Sequence, residues 1–231
     1  MRPIAHRGCM AQHPENTLAA FRQSAGAVEM IETDVRRCGS GELVLFHDET
    51  LDRVTDRTGA VAETPLAELD AASVLGSEES VPRLEELFEV VPPDVGLNLE
   101  LKGRDVARET TELAAEHDHE VLVSSFHPSD VRTAADAGAE TALLLYSGET
   151  EPAEFDVGEA LDVAGEIGCA AVHPSVALCV ETDIVDEAHA RGMAVNAWTA
   201  DSESAVERLR ERGVDGVVID NCDHAALCRD P

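Results

Sequence analysis

The stretch GLNLELK, residues 96–102, alternates without a break: Leu97, Leu99 and Leu101 fall on one side, Asn98, Glu100 and Lys102 on the other. Successive side chains of an extended chain point to opposite faces, so this is a strand with one apolar and one polar face. In a barrel strand the leucine face packs on surrounding helices and the polar face points inward. Lys102 on that inward face is the single lysine of the chain, which otherwise uses sixteen arginines for positive charge.

Seven more short apolar runs punctuate the sequence: PIAH (3–6), EMIETDV (29–35), EVLVSSF (120–126), TALLLY (141–146), CAAVHP (169–174), MAVNAWT (193–199) and GVVID (216–220). Amphipathic stretches lie between most of them, several opened by Asn, Ser, Asp or Thr and closed by Gly, as helix caps require. Eight strands with intervening helices in 231 residues predict a (β/α)8 TIM barrel forming a single domain over 1–231, whose chemistry belongs at the C-terminal strand ends. A doubly wound open sheet is the competing architecture, but no glycine-rich GxGxxG or GxxxxGK[ST] loop supports it.

The charge balance of 17 basic against 47 acidic residues leaves a net charge of −30. Such a surface repels phosphate backbones and anionic headgroups, which argues against nucleic acid and membrane surfaces as partners. Spread carboxylates with 3% aromatics suit a chain kept hydrated in concentrated salt, so a halophilic host is expected. No leader or membrane-length apolar run is evident, so a cytoplasmic protein is expected. The six cysteines show no CxxC pair and no zinc-ligand spacing; they read as reduced, mostly buried thiols.

One segment breaks the rhythm. After the second strand, VRRCGSGELVLFHDETLDRVTDRTG leaves no room for a crossover helix, so it predicts a β-hairpin followed by a small insertion at about 48–82 over the barrel mouth. A two-residue loop places His47 opposite Glu32 or Asp34 and on their face; a three-residue loop places it opposite Thr33, on the other. Glu32 and Asp34, two apart, share a face with each other and converge with Glu100 of the adjacent strand. Three converging carboxylates are costly without a cation, and hard oxygen ligands without thiolate favour one divalent ion, Mg²⁺ or Ca²⁺. His6, at the end of the first strand, and His47 suit a general acid and base pair, and Arg7 and Lys102 offer positive charge to an anionic substrate. Phe126 and Trp198 end strands where they can pack on substrate carbons. Glu15 and Asn16 read as holding the first loop and capping its helix. His127 and His173 read as satisfied histidines near strand ends.

Taken together, AHRGCMAQHPENTLAAF, IETDVRRCGSGELVLFHDETLDRVTDRTG, LNLELKG, SSFHPSDV, VNAWTAD and GVDGVVIDNCD resemble, in order and over nearly the whole chain, the motifs of the glycerophosphodiester phosphodiesterase family. The resemblance implies a (β/α)8 barrel that hydrolyses a small-molecule glycerophosphodiester to glycerol phosphate and an alcohol. By motif position, His6 and His47 match the family's acid and base, Glu32, Asp34 and Glu100 its metal carboxylates, and Arg7 and Lys102 its phosphate contacts. Similarity to phosphoinositide-specific phospholipases suggests His6 as base and His47 as acid, or the reverse, through a cyclic phosphate. Two other readings remain open at this level: a phospholipase C- or D-like phosphodiesterase, which would need an apolar rim, and a non-catalytic phosphate-ester binding barrel, which would lack one of these residues. The leaving alcohol and the oligomeric state are not legible.

Overall fold

The computed structural model describes residues 1–103, 105–146, 148 and 150–229. Strand β1 (Arg2–His6) leads to α1 (Leu18–Ser24); β2 (Met30–Arg37) turns back through β3 (Leu43–Leu45); α2 (Leu66–Leu69) and α3 (Leu84–Val90) precede β4 (Gly96–Leu101). The rhythm then becomes regular: α4 (Ala107–Ala114), β5 (Val121–Ser125), α5 (Pro128–Asp136), β6 (Glu140–Leu145), α6 (Val157–Ile167) and β7 (Ala171–Pro174). It closes with α7 (Val176–Glu181), α8 (Ile184–Ala190), β8 (Ala194–Ala200), α9 (Glu203–Arg212) and β9 (Gly216–Ile219). Every run read as a strand is one, with ends displaced by two residues or fewer.

Strand β1 pairs in parallel with both β2 and β9, so the sheet closes on itself as a (β/α)8 barrel. Its two faces divide as alternation demands. Leu97, Leu99 and Leu101 join Phe21 and Leu87 of the flanking helices in the large outer core, while Ile4, Met30, Leu122, Ala142, Ala171 and Val218 fill the barrel interior. The helices are stopped locally: the Ser202 hydroxyl accepts from the Ala205 N–H to start α9, and Gly213, at φ 78°, ends it in the left-handed conformation.

The hairpin is present, but its register is the one that sends His47 to the wrong face. The pairs Val35–Leu45, Arg36–Val44 and Arg37–Leu43, with the Cys38 N–H bonded to the Glu42 carbonyl, enclose a three-residue loop. The expected opposition of His47 to Glu32 or Asp34 therefore does not occur. The ladder's last bond runs from the Phe46 N–H to the Asp34 carbonyl, and His47 lies beyond it, where pleat parity no longer applies. The insertion that follows has a core of its own, in which Leu51, Val54, Val61, Leu69 and Val74 pack on Val44 and Phe46.

A second correction concerns sulfur. Cys9 and Cys222, 213 residues apart, are joined by a disulfide with their Cα atoms 5.7 Å apart, whereas Cys38, Cys169, Cys179 and Cys228 are free and buried. Local spacing could not show this pair, because closure of the barrel between β1 and β9 is what brings the two together. Among the described residues, no helix is long and apolar enough to cross a membrane.

Candidate active site

Parallel register assembles the site at the C-terminal strand ends. His6 lies beside Glu32, Asp34 beside Glu100, and Glu100 beside Ser124, all on the inner face. Glu32, Asp34 and Glu100 are 3%, 0% and 8% exposed, and each offers an oxygen within 4.8 Å of the others. Burial, followed by the charges of Asp34 and Glu100, holds the Glu32 carboxyl well above its ordinary pKa. Burial and then Asp34 likewise push Glu100 up to about 7. Asp34 ends below its ordinary value: burial works to raise it, but Arg7, Lys102 and His47 outweigh that.

A cluster that resists ionisation is what a divalent cation relieves. The donor set fits one: three hard carboxylates without thiolate, with Glu32 Oε1 buried and lacking any hydrogen-bond partner. Lys102 stands over the cluster, its Nζ 2.5 Å from Glu100 Oε1 and 3.5 Å from Asp34 Oδ1, and 5.7 Å from the centre of the Phe126 ring. Arg7 is drawn further in. Its backbone N–H donates to Glu32 Oε2 at 3.0 Å, while its guanidinium donates to Glu15 Oε1 at 2.9 Å and pairs with Asp34 Oδ2 at 3.2 Å.

Two histidines stand near enough to the carboxylates to interact with them, and each is gripped through Nδ1 by its own aspartate. His6 Nδ1 lies 2.6 Å from Asp220 Oδ1, with Nε2 3.9 Å from Glu32 Oε2. His47 Nδ1 lies 2.6 Å from Asp48 Oδ1, and the Arg36 guanidinium donates to its backbone carbonyl at 2.9 and 2.7 Å. A carboxylate on Nδ1 fixes the tautomer and leaves Nε2 for proton transfer. Burial pushes the His47 imidazole below its ordinary pKa, against the opposing pull of Asp34.

Phe126 and Trp198 meet edge to face with centroids 5.4 Å apart, and Tyr146 tilts against Trp198 at 5.9 Å. The indole Nε1 donates to the His173 carbonyl at 2.7 Å, which holds the ring in place. An open cavity of about 1100 Å³ runs beside this cluster, lined by Glu100, Lys102, Phe126, His127, Arg36 and Glu49, among others.

Several residues of this site escaped the sequence reading. Asp220 continues the inward alternation of Gly216 and Val218, yet only closure of β9 on β1 reveals that it faces His6. Asp48 directly follows His47, and Arg53 lies five residues further on, inside the insertion. Asn16 does not cap the first helix as expected; Thr17 does, because Asn16, at φ 55°, turns its amide to donate to Asp34 Oδ2 at 2.9 Å. His173 is 1% exposed inside the barrel, where burial lowers it to about 3 and Asn196 meets its Nε2 at 3.0 Å, so it is a satisfied core histidine.

Known proteins share both the fold and the sequence pattern. The glycerophosphodiester phosphodiesterase of Thermotoga maritima superposes with a TM-score of 0.85 at 23% identity, covering 99% of this chain and 98% of that one. A phosphodiesterase from Oleispira antarctica, solved with the product sn-glycerol-3-phosphate, gives 0.85 at 29% identity, covering 98% of this chain and 96% of its own. In sequence, a glycerophosphodiester phosphodiesterase of Caldanaerobacter subterraneus is 30% identical over 235 residues, spanning 94% of this chain and 93% of that protein. The sequence model of the glycerophosphoryl diester phosphodiesterase family matches residues 6–224, from the first site histidine to beyond Asp220. The chain belongs to that family of phosphodiester-hydrolysing enzymes.

Proposed function

We propose that this protein hydrolyses glycerophosphodiesters to glycerol phosphate and an alcohol, with the help of one divalent cation held by Glu32, Asp34 and Glu100. The observation that carries this reading is the placement of His6 and His47 around three buried carboxylates, each ring oriented by its own aspartate. When bound, the cation would act as a Lewis acid on substrate oxygens and relieve the repulsion among the three acids.

In this reading His6 accepts the proton of the glycerol 2-hydroxyl through Nε2 as that oxygen attacks phosphorus. His47 donates a proton to the departing alkoxide as its P–O bond breaks. The product of the step is a cyclic glycerol phosphate and a free alcohol. In the second step His47, now neutral, takes a proton from water that attacks phosphorus, and His6 returns its proton to the glycerol oxygen released, restoring both groups. An arriving phosphate anion favours the protonated form of His47 that the first step needs, against the burial that lowers its pKa. Lys102 and Arg7 meet the phosphate charge; Phe126 and Trp198 pack on the glycerol carbons.

The test is release of glycerol phosphate from glycerophosphocholine and glycerophosphoethanolamine, with and without chelator at constant ionic strength, in molar KCl. Loss of turnover in chelator, restored by Mg²⁺ or Ca²⁺, is expected, as is loss in His6→Ala and in His47→Ala. Activity retained in Glu100→Ala would remove the cation from the mechanism, and full activity in either histidine variant would remove that histidine.

A further inference from the structure

We infer that Arg53 is a positioning residue for the reaction, an arginine of the insertion that holds the His47–Asp48 pair in the geometry from which His47 protonates the leaving alcohol. The inference rests on the acid role proposed for His47.

The Arg53 guanidinium spans two carboxylates at once. Its Nε lies 2.6 Å from Asp48 Oδ2 and its Nη2 3.1 Å from Asp48 Oδ1. Its Nη1 lies 2.7 Å from Glu15 Oε2, and Nη2 also reaches Glu15 Oε1 at 2.8 Å. The Arg53 side chain is 46% exposed, yet all four bonds point inward to acids whose side chains are 22% and 4% exposed. A continuous chain of contacts results: His47 to Asp48, Asp48 to Arg53, Arg53 to Glu15, Glu15 to Arg7, and Arg7 to Asp34. The histidine beyond the hairpin and the carboxylates inside the barrel are thus tied through one guanidinium.

That tie is needed because the backbone does not supply it. The β2–β3 ladder ends one residue before His47, so the ring's direction depends on what holds its Nδ1 and its carbonyl, namely Asp48 and Arg36. Asp48 in turn is drawn toward water and repelled by the Glu15 carboxylate unless a cation between the two fixes it. A planar fork satisfies both carboxylates in one geometry, whereas an ammonium is a single point charge and can hold only one of them well. The charged groups around His47 are Asp48 on its Nδ1, Arg36 on its carbonyl, and Asp34, Arg7 and Lys102 across the mouth.

The experiment compares glycerophosphocholine, whose alkoxide leaving group needs a proton, with the glycerophosphodiester of p-nitrophenol, whose phenolate does not. Wild type, Arg53→Gln, Arg53→Lys and His47→Gln are assayed on both at saturating Mg²⁺ or Ca²⁺. The rate compared is single-turnover release of choline or p-nitrophenol, which reports the first step alone and not the later hydrolysis in which His47 acts as base on both substrates. The ratio of the two rates within one preparation is independent of the fraction folded. Arg53→Gln is expected to lose about 10- to 100-fold on glycerophosphocholine and less than about threefold on the nitrophenyl ester, in the same sense as a larger split in His47→Gln. Arg53→Lys is expected to restore less than half of the loss. An equal loss on both substrates in Arg53→Gln, or no loss, while His47→Gln splits them would overturn the role of Arg53 alone. If His47→Gln itself falls equally on both, the acid assignment fails and the inference fails with it.

Discussion

At Lys102 residue identity is expected to matter as well as charge. Its ammonium sits within ion-pair distance of both Glu100 and Asp34 and over the Phe126 ring, a compact charge at the edge of the open cavity. Arginine would replace that point charge with a broader planar fork, so Lys102→Arg is expected to lower kcat/KM for glycerophosphocholine on the order of tenfold or more. A value near wild type would mean that only positive charge is needed there. Asp48 supports a prediction about pH. Hydrogen bonding to Arg53 lowers its pKa from 3.8 to about 2. Because the folded-state value lies below the unfolded one, the stabilisation is present above about pH 4 and fades as pH falls toward 2. Urea melts of wild type and Asp48→Asn should therefore differ by roughly 1–3 kcal/mol near neutrality, narrowing below pH 4. A gap independent of pH would contradict the ionic origin of that stability.

At the scale of elements, the hairpin decides whether a second histidine reaches the mouth at all. Gly39 lies where the hairpin loop meets the insertion, its N–H donating to the Thr64 carbonyl at 2.8 Å. A Cβ there would stand 2.6 Å from the Glu63 carbonyl carbon and 2.8 Å from the Thr64 nitrogen, both backbone atoms that cannot swing aside. Gly39→Ala should cost on the order of 1–3 kcal/mol by urea melt, and lower kcat as well, because the insertion it displaces carries Arg53. Gly41→Ala is the contrast: nothing lies within 4 Å of its Cβ, and its φ of 110° alone sets the cost. Unchanged stability and turnover in Gly39→Ala would show that the seam yields freely. Alternation in GLNLELK predicted Asn98 and Glu100 inward correctly because β4 is paired on both sides there, by β2 and β5. The same logic failed for His47, since a strand that ends early stops obeying it.

At the scale of the whole molecule, the first and last strands meet, and the Cys9–Cys222 disulfide crosses that seam beside His6 and Asp220. Alkylation of the denatured protein without reductant should count four thiols, against six after reduction. Six at the outset would show that the bond does not form. For a loop this long, the chain-entropy account gives at most about 5 kcal/mol of stabilisation, so Cys222→Ser should melt several degrees lower than wild type in the absence of reductant. The bond also bears on the expected cytoplasmic setting, where thiols are ordinarily kept reduced. The net charge of −30 makes a separate prediction. Raising KCl from about 0.1 M to about 1 M shortens the screening length from roughly 10 Å to 3 Å, so the melting temperature should rise over that range. A flat or falling response would remove the case for a salt-adapted surface.

The sequence by itself determined the eight strands, the barrel they form, and the inward acids, because alternation and run length are local properties that each segment carries alone. It also pointed to His6 and Lys102, which sit at ends of strands whose faces alternation predicts. Only the tertiary structure decided which aspartate faces which histidine, that Cys9 meets Cys222, that Arg53 joins the insertion to the barrel, and how His47 comes to the mouth in spite of its register. Apart from that of His47 with its neighbour Asp48, those contacts join segments far apart in the chain, and all of them depend on closure of the sheet or on where a ladder ends, which no segment carries alone.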